Sequence, residues 1–435
     1  MRPAARGLIC ILQPIRIPAP SAISDAPIYN EDFMLTSARI AAARERIRDV
    51  LYYSPCQISH DLSELAGHPI YLKLENLQRT GAFKERGALN RLLQLTPEQR
   101  ARGVIAASAG NHAQGVAFHA ARLGIRARIV MPQPTPLVKV SATRGFGAEV
   151  ILHGANYDEA CEEATRLQQE KQLIFIHPFD DDEVIAGQGT IGLEVLEQLP
   201  EVDAIVVPIG GGGLIGGVAC AVKEARPDVR IVGVQTERLA SMLRAVEAGA
   251  PVTLPAQATI ADGIAVRRAG ERTLPLVQRY VDEIVTVDEE EISSAILVLL
   301  EKEKTLAEGA GAAALAALLQ GKTHLRAEKT VALVCGGNID VTLLSRIIER
   351  GLAKDGRLLR IRVYLLDRPG SLHQLTRILT ECEANIVQTS HNRSYYGVNL
   401  GDTVIEITLE TRGAGHIAAI ADALTSAGYR HERVH

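Results

Sequence analysis

No apolar run in this 435-residue chain approaches the roughly 18 residues that a membrane-crossing helix needs, so no membrane partner is expected. Nor is there a surplus of positive charge. Against 47 Lys and Arg stand 51 Asp and Glu, a formal net charge of −4, which removes the general case for a nucleic-acid partner. The six cysteines (Cys10, Cys56, Cys161, Cys220, Cys335, Cys382) are scattered and form no CxxC pair. That excludes a disulfide or zinc framework and reads as a reduced, cytoplasmic protein. The sequence has no tandem repeat. With 47% apolar and 23% charged residues its composition is that of an ordinary globular protein, and its length calls for two or three domains.

Three stretches of different texture follow one another. Residues 1–34 carry Arg2, Arg6 and Arg16, several prolines, and no acidic residue before Asp25. The patch Leu8–Leu12 is too short for a secretory core, so the segment reads as a flexible tail or a start placed ahead of Met34 rather than a targeting peptide. From Leu35 a helical run leads into short β-branched segments that alternate with amphipathic ones. The strands are expected at Val104–Ala107, Ala127–Met131, Glu149–Leu152, Ala204–Pro208, Arg230–Gln235 and Thr330–Val334. The helices are expected at Ala113–Leu123, Asp158–Lys171, Thr190–Gln198, Leu214–Ala225 and Glu291–Glu303. Such alternation predicts an α/β fold with a mostly parallel sheet, whose ligands bind at the carboxyl ends of the strands. A polar joint at Lys354–Arg357 then divides a domain over 35–353 from one over 354–435. The latter reads strand, helix, strand, strand, helix, strand, the ferredoxin-like α+β order.

Chemistry concentrates in four places. In Thr80-Gly81-Ala82-Phe83-Lys84-Glu85-Arg86-Gly87-Ala88, Lys84 follows apolar neighbours. Most lysines are solvated surface charges, but one that forms a Schiff base must be a neutral amine part of the time and is shielded from water. Ser108-Ala109-Gly110-Asn111-His112 leaves a strand and opens a helix. Backbone N–H groups there suit a carboxylate, although a plain Ser/Asn helix cap reads equally well. His112 alone reads as a packed or capping histidine rather than a base. Gly210-Gly211-Gly212-Gly213, before Leu214, lets several N–H groups converge on one phosphate. Gly211, Gly213 and Gly216 also spell GxGxxG with Glu237 about twenty residues on, so the spacing leaves a dinucleotide pyrophosphate open. Cys335-Gly336-Gly337-Asn338 ends a strand, and Cys335 alone is a small buried apolar residue.

In this order the four segments resemble the fold type II enzymes that use pyridoxal 5'-phosphate (PLP), specifically the threonine and serine dehydratases. The likeness covers about Arg39 to Leu352 and includes Glu308-Gly309-Ala310-Gly311-Ala312. It displaces the nicotinamide reading. The resemblance implies that Lys84, next to Phe83, holds PLP as a Schiff base and that Asn111 contacts the ring oxygen. It also implies that Gly210, Gly211, Gly212, Gly213 and Leu214 bind the phosphate, that Cys335 faces the ring nitrogen, and that Ser108–His112 (Ser108, Ala109, Gly110, Asn111, His112) hold the substrate carboxylate. A neutral thiol at the ring nitrogen makes a weaker electron sink than an aspartate would, which suits prompt elimination. The implied reaction removes water and then ammonia from threonine or serine, with Lys84 taking the Cα proton and the cofactor phosphate the proton donor to the leaving hydroxyl.

From about Leu359 the chain resembles an ACT domain, a regulatory module for small amino acids. Asp367-Arg368-Pro369-Gly370-Ser371-Leu372 and Asn385-Ile386 carry the likeness. Pro369, Gly370, Ser371, Leu372 and Asn385 are the implied effector residues, isoleucine or valine the implied effector, and a homo-oligomer, dimer or tetramer, the implied assembly. A purely structural dimerisation unit is the plainer alternative. Two departures stand out. Gln235 occupies a segment where cation-binding relatives carry a carboxylate, so no metal is expected. Ala82 replaces a common serine, which weighs against serine racemisation and leaves substrate choice open. An amino-acid sensor with a decayed catalytic half is the remaining alternative.

Overall fold

The structure, a computed structural model, describes residues 15–16, 35–325, 328–392 and 401–434. It divides into two compact units, one ending at Ile339 and the other beginning at Asp340. The division lies ahead of the polar joint at Lys354–Arg357, because the amphipathic helix Val341–Lys354, capped by Asp340, belongs with the second unit.

The first unit contains two sheets. The larger runs in the order Ile15–Arg16, Glu283–Val287, Arg230–Thr236, Ala204–Pro208, Thr330–Val334, Ile70–Leu74, Cys56–Ser59. Its five central strands are parallel and both edges antiparallel. Every residue of Ala204–Pro208 and Thr330–Val334 is buried, as parallel strands covered on both faces require. Ile15 and Arg16, within the stretch expected to lie outside the fold, pair with Ile284 and Glu283. The smaller sheet, Glu149–Leu152, Ala127–Met131, Val104–Ala107, Ile174–Phe175, is wholly parallel. The α/β expectation holds, and all six expected strands of this unit are present.

Helix packing places the chemistry. Asp182–Gln198 packs against both Lys84–Leu93 and Gly213–Ala225. A Cβ on Gly187 would sit 2.6 Å from the Gly87 Cα, and one on Gly189 2.8 Å from the Gly217 carbonyl. Glycine is needed at these crossings because the backbones approach too closely for any side chain. Asp182–Gln198 starts eight residues ahead of the expected Thr190. Asp181 caps it, accepting from the N–H groups of Glu183 and Val184, and its glycines hide the helix from propensity. Beneath the helix Lys84–Leu93 lies a buried charge cluster. The Arg86 guanidinium donates to Glu75 at 2.7 and 2.8 Å and to Glu194 at 2.6 and 2.9 Å. Lys73 donates to the same Glu194 at 2.6 Å.

The second unit is a four-stranded antiparallel sheet in the order Asn385–Asn392, Asp402–Glu410, Leu358–Leu366, Arg430–Arg433. That is the ferredoxin-like strand order. Leu359, Ile361, Val363 and Leu365 alternate onto the covered face, where they meet Leu375 and Leu379 of Ser371–Glu381 and Ile420 and Leu424 of Ala414–Ser426. Leu372, in the helix Ser371–Glu381, is exposed.

Candidate active site

Lys84 is the first residue of its helix. Its Nζ donates to the Pro178 carbonyl at 2.7 Å and lies 5.2 Å from the centre of the Phe83 ring. Burial pushes its ammonium down to about 8, opposed by the nearby Cys335 and Glu308. The amine is therefore neutral in a useful fraction of molecules near neutrality. Cys335 is brought alongside by backbone contacts: the Phe83 N–H donates to the Cys335 carbonyl at 3.0 Å, and Ala82 bridges to Gly336. Burial holds the Cys335 thiol well above the ordinary thiol range, so it is an uncharged group.

The turn His177–Asp181 connects this lysine to the glycine loop. His177 Nδ1 accepts from the N–H groups of Phe179 and Asp180, which aims the Pro178 carbonyl at Lys84. A side chain on Gly211 would collide with the Phe179 ring, and one on Gly213 would come within 2.8 Å of the Phe179 carbonyl. Gly212 sits at φ +97°, and its added Cβ would lie 2.7 Å from Thr273 Oγ1. Thr273 Oγ1 and the Gly270 N–H both donate to the Gly211 carbonyl, at 2.6 and 3.2 Å. No side chain caps the helix Gly213–Ala225, which leaves its first-turn N–H groups, with Leu214 among them, for an anion. Gly210 packs against Ile264 and Val266 behind the loop. Gln235 lies fully buried; its Oε1 accepts from the Leu243 N–H at 2.9 Å and its amide nitrogen reaches the Ile209 carbonyl. Its amide thus braces the strand end that leads into the glycines.

At the other rim, the helix Asn111–Arg122 starts without a side-chain cap. Asn111 Nδ2 donates to Glu308 Oε1 at 2.7 Å, and Asn111 Oδ1 accepts from Asn338 Nδ2 at 2.9 Å. Within the expected carboxylate loop two N–H groups are already used: Ser108 donates to the Val130 carbonyl, and Gly110 to Ser108 Oγ. The remaining donors are those of Ala109 and the first helical turn. His112 is buried, its Nε2 at 2.8 Å from the Ile176 carbonyl, and burial pushes its imidazolium down to about 3. It is a packed, neutral histidine. Glu308 was not singled out for a role by sequence reasoning. The remaining predicted residues, Pro369, Gly370, Ser371, Leu372 and Asn385, lie in the second unit. There Gly370 (φ +92°) opens the helix Ser371–Glu381 and Asn385 donates to Glu410.

A half-buried amine of lowered basicity, an uncharged thiol, and a loop kept free of side chains at one helix end form the donor set of a phosphate-bearing aldehyde cofactor. Residues 47–336 match the family described as pyridoxal-phosphate dependent enzyme. The chain belongs to that family. It is 49% identical over 396 residues to an L-threonine ammonia-lyase of Thermotoga maritima, covering 91% of this chain and 98% of that one. Among solved structures it resembles the processed threonine deaminase isoform 2 of Solanum lycopersicum (40% identity, TM-score 0.69, 72% of this chain and 91% of that one). It also resembles a maize serine racemase (36% identity, TM-score 0.69, 74% and 99%). The residues present fit the family's cofactor. Lys84 can carry the aldehyde, Asn111 keeps a second amide hydrogen for a ring oxygen, and Gly211–Gly213, packed too closely on Phe179, Met242 and Thr273 to bear a Cβ, lead into an uncapped helix end for the phosphate.

Proposed function

We propose that the chain is an ammonia-lyase that converts L-threonine to 2-oxobutanoate and ammonia, and acts on L-serine to give pyruvate. The observation that carries this reading is the pairing of a weakly basic Lys84 with an uncharged Cys335 in one family-typical site. Bound PLP supplies an electron sink for the substrate Cα. Lys84 Nζ, at the head of its helix and of lowered basicity, would be the base for the substrate Cα proton. The N–H groups of Ala109 and the first turn of Asn111–Arg122 hold the substrate carboxylate. Asn111 Nδ2 orients the ring oxygen, and the first turn of Gly213–Ala225 holds the phosphate. Cys335, kept uncharged by burial, would face the ring nitrogen without giving it a formal charge, a setting that would suit loss of the β-hydroxyl. Reconstituted protein should show the visible band of lysine-bound cofactor and release 2-oxobutanoate from L-threonine; Lys84→Ala should lose both. Normal ammonia release by Lys84→Ala would overturn the proposal.

Likeness to a racemase makes serine racemisation the second reading. Ala82, fully buried and bridged to Gly336, offers no hydroxyl to serve as an acid on the opposite face. Chiral analysis of L-serine incubated with the enzyme separates the two. We read the second unit as an ACT domain that binds a branched amino acid, isoleucine or valine, near Pro369–Leu372 and Asn385, in a homodimer or homotetramer. The ferredoxin-like strand order and the uncapped helix after Gly370 support this. A cytoplasmic setting fits the scattered cysteines.

A further inference from the structure

Glu308 occupies the cap position of the helix Gly309–Leu319, yet its side chain bonds none of that helix's N–H groups. Its Oε1 instead accepts from Asn111 Nδ2 at 2.7 Å. The Asn111 amide is fixed from its other end too. Asn338 Nδ2 donates both to Asn111 Oδ1 at 2.9 Å and to the Thr80 carbonyl at 2.8 Å. A flipped Asn111 would set one NH2 group against another, so Glu308 must act as the acceptor. Space is reserved for this carboxyl, which is only 4% exposed. A Cβ on Gly336 would overlap it and lie 3.1 Å from Asn111 Nδ2, and one on Gly263 would lie 3.1 Å from Oε1.

We propose that Glu308 is a positioning residue of the Lys84 centre, orienting the Asn111 amide through its carboxylate and loosening that amide when it gains a proton. The inference rests on the reading of this site as the PLP centre. The ionised carboxylate makes a charge-assisted bond to Asn111, roughly twice as strong as the one a neutral acid accepts. Protonation also leaves a buried O–H in need of a partner. Four titratable groups face the carboxyl from separate elements: Lys84 at the head of its helix, Cys335 after its strand, Asp262 in the turn Asp262–Ile264, and Lys139 on Leu137–Gly145. Lys139 and Asp262 pair at 2.5 Å and largely cancel. Burial foremost, aided by Asp262 and opposed by Asn111, Lys139 and the Asn338 N–H, pushes Glu308 up to about 7. The switch therefore falls in the working pH range.

The test uses the holoenzyme, with cofactor affinity, visible spectrum, kcat and KM followed from about pH 5.5 to 8.5. Wild type should bind cofactor more weakly and turn over more slowly below about pH 7, a limb separate from the one Lys84 sets near pH 8. Glu308→Gln keeps an acceptor oxygen but has no proton to exchange. It should hold cofactor within about threefold of the high-pH wild type and lose the acid limb. Glu308→Ala should hold it at least about tenfold more weakly at every pH. An acid limb of unchanged midpoint in Glu308→Gln would overturn the proposal, as would wild-type affinity in Glu308→Ala. Should the alanine variant not fold, the wild type decides, because pH-independent cofactor affinity across that range contradicts the switch. These outcomes are separate from the fate of the parent reading. Loss of the lysine-bound band in wild type sinks the PLP centre, whereas an intact band with an unmoved limb sinks only the role of Glu308.

Discussion

Replacing Arg86 by methionine should cost about 3–5 kcal/mol of stability, because it strands a carboxylate in the interior. Arg86 and Glu75 are each no more than 1% exposed, and Glu194 is 6% exposed. Five hydrogen bonds leave the guanidinium: two to Glu75, two to Glu194 and one to Thr190 Oγ1 at 3.1 Å. Lys73 can still neutralise Glu194 at 2.6 Å, so the uncompensated charge falls on Glu75. Glu75 is held below the usual carboxylate range despite its burial, chiefly by Arg86. Adding Glu75→Gln should therefore recover much of the loss, leaving a coupling energy of about 2 kcal/mol or more between the two sites. Urea unfolding of the single and double variants, at constant cofactor and protein concentration, measures this. A loss below about 1 kcal/mol for Arg86→Met, or additive single and double effects, would refute the reasoning. Arg86 lies two residues beyond Lys84 on the same helix, so the variant should also bind cofactor more weakly even where it remains folded.

Four further outcomes are expected. Lys84, with its amine lowered to about 8, should be about one-tenth neutral at pH 7, so the rate of cofactor loading onto the apoprotein should rise with pH and level off above about pH 8; a rate still climbing tenfold per unit above pH 9 would contradict it. Gly212→Ala, placing a Cβ at φ +97° and 2.7 Å from Thr273 Oγ1, should weaken cofactor binding by about tenfold or more, read by fluorescence titration. His112 and His119 are held neutral by burial down to about 3, while the unfolded chain takes up their protons near 6.5. Unfolding therefore binds protons between those values, and stability should fall as pH drops below about 6.5, less steeply in His119→Gln. Ending the chain after Ile339 should preserve turnover and abolish any response to isoleucine or valine; a truncated enzyme that still responds would move the effector site elsewhere.

The strands most legible in the sequence were those whose side chains are buried on both faces. Ala204–Pro208 and Thr330–Val334 read as continuous apolar runs because helices cover both sides. Ile70–Leu74 lies beside Thr330–Val334 in the same sheet but was not anticipated, since Lys73 interrupts its run. Lys73 is wholly buried, and only the fold supplies the Glu194 and Ser54 partners that make this tolerable. The division at Asp340 is not marked in the sequence for a related reason. Val341–Lys354 follows directly on the catalytic loops, and nothing in its own composition says that it falls in the later unit.

Within the site, legibility followed the range of the interactions. The glycine loop acts through its own backbone, so four consecutive glycines announce it. Lys84 is marked by its immediate neighbours. Glu308 is not, because its partner Asn111 is 197 residues away and the cap position it holds is the conventional place for an acidic side chain. The turn His177–Asp181 is hidden in the same way. Pro178 contributes a carbonyl, Phe179 a ring against Gly211 and a carbonyl against Gly213, and Asp180 an acceptor for the N–H groups of Glu271 and Arg272. None of these uses requires a particular pattern in the turn itself. Yet the turn joins three parts of the centre: the lysine, the glycine loop, and the segment whose Gly270 and Thr273 pin the Gly211 carbonyl. Asp180→Asn should therefore disturb phosphate binding before it disturbs Lys84, because the route from Asp180 runs through Gly270 to Gly211 and only the Pro178 carbonyl meets the amine.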